Sequence, residues 1–350
     1  MNSINNKIAY IATKFYSLLR KIKYRNIIIS PPCIMMVADA LLKASSGETK
    51  LQLLDVFGIF LPENHDIEKI LLEVINKCEY EFIYFINKDK RISNNYVETV
   101  TKNNAFTVIS GNELDLEEIM NKRNYGNDDI YRVIRNSIDS AILIDISYAG
   151  IWENMFTDHG LHDFFVTNDY PKNIPYMITS GMFGHMYCDE IRSHVIDIPY
   201  LHNTYSLLLL FSDTYKNFRY LENHITSRII SNKIVFGNMQ YTDITVVMPR
   251  FSIITQHDIK SIFTSLGIID IFSDRASMKL LSPDKIPITM LHVKTRIDFI
   301  NNRFKLSDQK RWTDLSGVSY YLNKPFMFCI KYNKSGTILF LGKITDPSSV

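Results

Sequence analysis

Histidine and cysteine are the side chains of this 350-residue chain most able to bind a metal or activate a nucleophile. His159 and His162, flanked by Asp158 and Asp163, offer imidazole and carboxylate donors to a divalent cation, and His185 with Cys188 offers a second pair. A tetrahedral site needs four protein ligands, or three and a water, so neither pair suffices. The first is expected in a solvated turn and the second as a pair on a strand, with no metal and no cofactor. The sequence contains no GxSxG, no P-loop and no GxGxxG, the spacings that mark a nucleophile elbow or a phosphate cradle. Any chain this long offers some Ser, His and Asp, but nothing here aligns them. The chain is not expected to be an enzyme. Cys33, Cys78, Cys188 and Cys329 are scattered, mostly on apolar stretches and without CxxC spacing; they read as buried thiols and favour a reducing compartment.

Composition bounds the elements that surround these residues. A hydrophobic fraction of 46% with 22% charged residues is that of an ordinary globular protein. A net charge of +2 gives no reason to expect a nucleic acid or an anionic membrane as partner. The N-terminus is polar and lacks a signal-peptide core, and the longest apolar run, Ser206 to Phe211, is too short to span a bilayer. No low-complexity linker interrupts the sequence, so one domain over 1–350 is expected. Ile4, Ile8, Ile11, Phe15, Leu18, Leu19 and Ile22 fall on one helical face. Ile27 to Ile29 reads as a short buried strand, and Ser30-Pro31 opens a second helix to about Lys43. Thr49 and Gln52 have capping-box spacing for a third helix ending at Gly58. Residues 78–139 give no clear elements. Residues 323–347 read as a hairpin of two alternating apolar strands joined by a Gly turn, and 299–322 as a long, charged, exposed loop before it.

The order NIIISPPCIMM, SSGETKLQLLDVFGI, LIDISYAGIWENMF, DFFVTN, NIPYM, IDIPY, TVVMPRFSI and LGIIDIFSDRASMKLLS, closed by the terminal hairpin, resembles the serpin family over about three quarters of the chain. The resemblance implies an α+β serpin fold: a large mixed sheet A, smaller sheets B and C, eight or nine helices and an exposed reactive-centre loop at 299–322. Ile142 to Ser147 would be a central strand, with Trp152 and Phe156 as family aromatics at the top of the main sheet. Ser30 and His292 match a polar network at the opening of that sheet. A second family serine falls on Cys33, and the family's asparagine falls on Ile144, beside Asp145, so the network is depleted; His292 reads equally as a satisfied core histidine.

In inhibitory serpins the loop, once cut by its target, inserts as a new strand of the main sheet, a switch that releases stored strain. The stretch at the loop's root, Asn301, Asn302, Arg303, Phe304 and Lys305, continued by LSDQKR, contains neither Ala nor Gly. Successive strand residues face opposite sides. One register would therefore bury Arg303, Lys305 and Arg311, and the other Asp308 and Lys310 beside Phe304, Leu306 and Trp312. Each unpaired buried charge costs several kcal/mol, so inefficient insertion is expected. The scissile residue is placed at Asp314, Leu315 or Ser316, according to whether the count runs back from Lys324-Pro325-Phe326 or forward from His292. An aspartate there resembles the poxviral serpins that bait caspases and granzyme B. The resemblance, the AT-rich composition and the missing leader together imply an intracellular poxvirus serpin-like protein, in the cytoplasm of the infected cell, with secretion by a non-standard route left open. It is expected to be monomeric and to bind a host protein without suicide inhibition. The alternatives are a serine-protease or caspase inhibitor acting near Asp314, and a reversible inhibitor using the loop as a substrate-like plug.

Overall fold

The structure, a computed structural model, describes residues 2–22, 25–58, 67–103, 105–125, 138–301 and 317–348. The chain forms two compact units: Met1–Pro31, Tyr148–Thr255 and Arg296–Val350 in the first, Pro32–Ser147 and Gln256–Thr295 in the second.

Among the described residues eight α-helices accompany the strands: α1 (Asn2–Ile22), α2 (Pro31–Ala44), α3 (Gly47–Phe57), α4 (Ile67–Val74), α5 (Asn94–Thr101), α6 (Glu113–Lys122), α7 (Tyr215–His224) and α8 (Lys260–Ser265). The apolar stripe of α1 is buried at Ile8, Ile11, Phe15 and Leu19, as its 3.6-residue spacing demands. The first three helices fall where the sequence placed them, but the capping box of α3 does not form. That helix starts two residues earlier, at Gly47, whose φ of +56° suits glycine. Thr49 Oγ1 instead accepts from Ser277 N at 3.0 Å, and Gln52 Oε1 from Ile269 N and Asp270 N, both at 2.9 Å.

The strands are β1 (Ile27–Ile29), β2 (Glu79–Asn87), β3 (Phe106–Gly111), β4 (Ser140–Tyr148), β5 (Thr157–Thr167), β6 (Tyr170–Cys188), β7 (Ser193–Pro199), β8 (Tyr205–Phe211), β9 (Gln240–Pro249), β10 (Phe251–Asp258), β11 (Met290–Phe299), β12 (Val318–Tyr321), β13 (Phe326–Tyr332) and β14 (Thr337–Ile344). They form a five-stranded sheet ordered β10-β11-β4-β2-β3 and a nine-stranded path ordered β1-β14-β13-β8-β7-β6-β9-β12, with β5 beside β6. The expected central strand is β4 of the five-stranded sheet. The two smaller sheets run together because β6 is 19 residues long: its first part pairs with β5 and β9 and its last with β7.

Three further expectations change. His159 and His162 lie on β5, not in a turn; exposed polar residues mask the strand because β5 pairs on one side only and leaves most side chains in water. The terminal hairpin is real and antiparallel, but β14 is buried at all eight positions rather than at alternate ones. Its other edge is covered by β1, and apolar packing on both faces removes the alternation that a one-sided sheet would show. Finally, the segment 299–322 is not all loop, since Phe299 ends β11 and Val318–Tyr321 form β12.

Candidate functional site: the loop roots and the β4–β11 seam

Both ends of the loop are fastened in the first unit. At the end of β11, Trp152 Nε1 donates to the Ile300 carbonyl at 2.9 Å. The indole is fully buried and stacks on Tyr200 with centroids 4.3 Å apart, with Phe156 at 4.8 Å and Phe299 at 6.3 Å. Trp152 thus ties down the chain as it leaves the sheet, using its one donor where burial would otherwise leave it unmet. Asn301, the first hinge candidate, accepts through Oδ1 from Arg250 Nη1 at 3.1 Å. The other hinge candidates, Asn302, Arg303, Phe304 and Lys305, and the scissile candidates Asp314, Leu315 and Ser316, lie outside the described residues.

At the returning end, Gly317 passes so close to β9 that a Cβ there would stand 2.1 Å from the Asp243 carbonyl oxygen. Only glycine fits that approach. β12 then pairs in parallel with β9, Val318 opposite Ile244 through Tyr321 opposite Val247. Its tyrosines point to opposite faces. Tyr321 stacks on Tyr176 at 5.3 Å and meets His162 edge-on at 5.7 Å. Tyr320 packs against His185, His194 and Phe211.

In the second unit, β11 and β4 are hydrogen-bonded neighbours. Residues Ser140 to Ile144 of β4 are buried in succession, on both faces, while Asp145 and Ser147 are half-buried. His292, on β11, is buried with its ring edge-on to Tyr125 at 5.6 Å; burial also pushes the Tyr125 hydroxyl pKa well above its ordinary value. Two residues along, Lys294 Nζ reaches Asp145 Oδ2 at 3.0 Å and the Arg123 carbonyl at 2.6 Å. Asp145 stands opposite Glu81 in the β2–β4 register, a like-charge pairing that is unfavourable when uncompensated. Arg123 pairs with Glu81, and the Arg123 guanidinium is held above its usual pKa chiefly by that hydrogen bond. Lys294 and Arg123 therefore neutralise two facing carboxylates, and the Lys294–Asp145 pair crosses from β11 to β4. Sequence reasoning passed over Lys294 and noted Asp145 only as a neighbour.

The remaining candidates fall in separate places. Ser30, in the first unit, is buried, and its hydroxyl makes no hydrogen bond among the described residues. Cys33, in the second unit, is buried and lies outside any disulfide among the described residues. His159 and His162 stack at 4.8 Å on β5, and Cys188 donates to Glu190 rather than approaching His185. Among the described residues no group of three or more His, Cys, Asp or Glu could hold a metal, and no helix is long and apolar enough to cross a membrane.

A buried terminal hairpin, a strand whose end is tied at Trp152, and a short parallel strand that begins at Val318 are the landmarks of the site. The serpin (serine protease inhibitor) family profile matches residues 6–347, and the chain belongs to the serpin family. It is 51% identical to the uncharacterized serpin-like protein FPV044 of fowlpox virus (strain NVSL), over 99% of each chain. Identity to the rat alpha-1-antiproteinase is 24%, covering 99% of this chain and 89% of that one. Among solved structures, uncleaved ovalbumin superposes with a TM-score of 0.84 at 18% identity, over 97% of this chain and 99% of that one. Mouse protein-Z dependent protease inhibitor gives 0.82 at 18% identity, over 99% and 98%.

Proposed function

We propose that this serpin is a poxviral protein that binds a host protein, has no catalytic activity of its own, and does not inhibit by loop insertion. The observation that carries the reading is the Lys294–Asp145 pair across the β4–β11 seam. A loop entering the main sheet as a central strand must part β11 from β4. Neighbouring strands lie about 4.8 Å apart, so an intervening strand doubles the separation and breaks the pair. Lys294 would then be left mostly buried and Asp145 facing Glu81 across the sheet. The incoming strand would carry Arg303, Lys305 and Arg311, or Asp308 and Lys310, into a region where β4 is buried on both faces. Charge stranded on both sides of the new strand offsets the gain from its backbone hydrogen bonds. The half-filled polar network fits the same reading, with Cys33 and Ile144 standing where the family has serine and asparagine. The protein's proposed place of action is the host cytoplasm, as a monomer.

A second reading draws on the alpha-1-antiproteinase similarity and on Asp314: a serine-protease or caspase inhibitor acting at Asp314, Leu315 or Ser316. The two separate on a denaturing gel. Incubation with a panel of serine proteases and caspases is expected to give cleavage within 302–316 or no reaction. A covalent protease adduct that survives denaturation would overturn the proposal in favour of the inhibitor.

A further inference from the structure

The strand on which the loop returns is held less by its backbone than by its side chains. Among the described residues β12 has four residues, pairs with β9 alone, and ends the nine-stranded sheet. An edge strand that short has little ladder to hold it. On one face Tyr320 supplies the grip: its ring lies 5.1 Å from His185 on β6, 5.2 Å from His194 on β7 and 5.4 Å from Phe211 at the end of β8. The polar atoms form a chain. His185 Nε2 is 3.0 Å from His194 Nδ1 and 3.1 Å from the Tyr320 hydroxyl.

This arrangement depends on protonation. With Nε2 of His185 bare, its single lone pair accepts from the His194 Nδ1–H or from the Tyr320 hydroxyl, both within reach. One added proton is still shared between the two facing nitrogens. A second places two cations 3.0 Å apart, in half-buried surroundings that screen them only in part, and turns Nε2 into a donor, so that it no longer accepts from the Tyr320 hydroxyl. The groups facing the pair give little relief. Tyr187 of β6 lies against His194, Gln240 of β9 stands opposite His185, and Asp197 of β7 falls on the other face of the sheet, paired with Lys331 at 2.7 Å. Asp213, just beyond β8, is the one acid that favours the charged form of His194. Burial outweighs it and lowers the His194 pKa, while burial and then His194 itself lower that of His185.

We infer that His185, His194 and Tyr320 form an acid-operated clasp on the loop's C-terminal root: closed at neutral pH, and opened when both histidines are protonated, which frees Tyr320 and releases β12 from β9. The released form takes up more protons than the clasped form below the ordinary histidine value of 6.5, so acid favours release and the clasp is complete above that pH. Release frees Val318–Tyr321 without any cut in the chain, whatever the loop binds.

Hydrogen exchange of the full-length protein, corrected for intrinsic rates, reads this directly. Protection of the Val318–Tyr321 amides is expected to fall on the order of tenfold between about pH 7.5 and about pH 5, while β13 keeps its protection. In His194→Gln the fall is expected to disappear. His185→Gln serves as the second variant if the first folds poorly. Unchanged β12 protection in the wild type would overturn the clasp, as would a fall that persists in the variants or an equal loss at β13.

Discussion

The terminal hairpin and the β4–β11 seam are both interior β-structure, yet different forces hold them. β14 is buried along its whole length, between β13 and β1, and β13 is sandwiched between β14 and β8. Its charged residues are few and matched: Lys343 pairs with Glu222 at 2.9 Å, and Glu222 also accepts from Tyr16 at 2.8 Å. The seam is apolar where β4 runs from Ser140 to Ile144, but beyond that it depends on Lys294 reaching Asp145. The hairpin cannot be parted without exposing a large apolar surface. The seam can be weakened by changing one side chain, and the loop that would enter it carries charge in either register. On the proposed reading, the family's means of opening is opposed at two places, at the sheet and on the loop.

Mutations can break this contrast, beginning with the hairpin. Phe340→Ala removes a ring buried on both sides and is expected to cost about 3 to 5 kcal/mol in a denaturant melt. Lys343→Ala strands Glu222 in a largely buried setting and is expected to cost about 3 kcal/mol. At the seam, Lys294→Met retains the stem but loses the charge, with an expected cost of about 1 to 3 kcal/mol. It should also raise amide exchange in β4 and β11 more than in β13; a uniform rise would deny the seam its separate latch. Smallest of all, replacing Asn302 to Leu306 with Ala, Gly and Thr in the Lys294→Met background is expected to add a few degrees to the melting temperature after loop cleavage. No gain would leave the polar network at Cys33 and Ile144 as the obstacle.

Much of this was legible in the sequence because strong periodicity and punctuation mark buried elements. The stripe of α1, the Pro31 start of α2 and the Gly336 turn of the hairpin all fell in place. Residues 78–139 resisted because β2, with FIYFI buried at consecutive positions, reads equally as strand or helix, and α5 is only eight residues long. The histidines of β5 looked like a turn because an exposed strand has no apolar face to betray it. At the site, Trp152 was marked by the family motif around it, but the returning end of the loop was misplaced, since the four residues of β12 are too few to show an alternation. The Lys294–Asp145 pair was not readable, because its members are 149 residues apart. Only their placement on adjacent strands makes them partners. A Lys two places after the strand histidine, with an Asp next to the position where the family has asparagine, was the signal available.

The most direct test is the melting temperature of the intact protein against that of the same protein nicked within 302–316. If charge on the loop and the Lys294–Asp145 latch keep the sheet closed, the two values agree within about 2 °C. A rise of about 10 °C or more on cleavage would mean that the loop has entered the sheet, and would contradict the account.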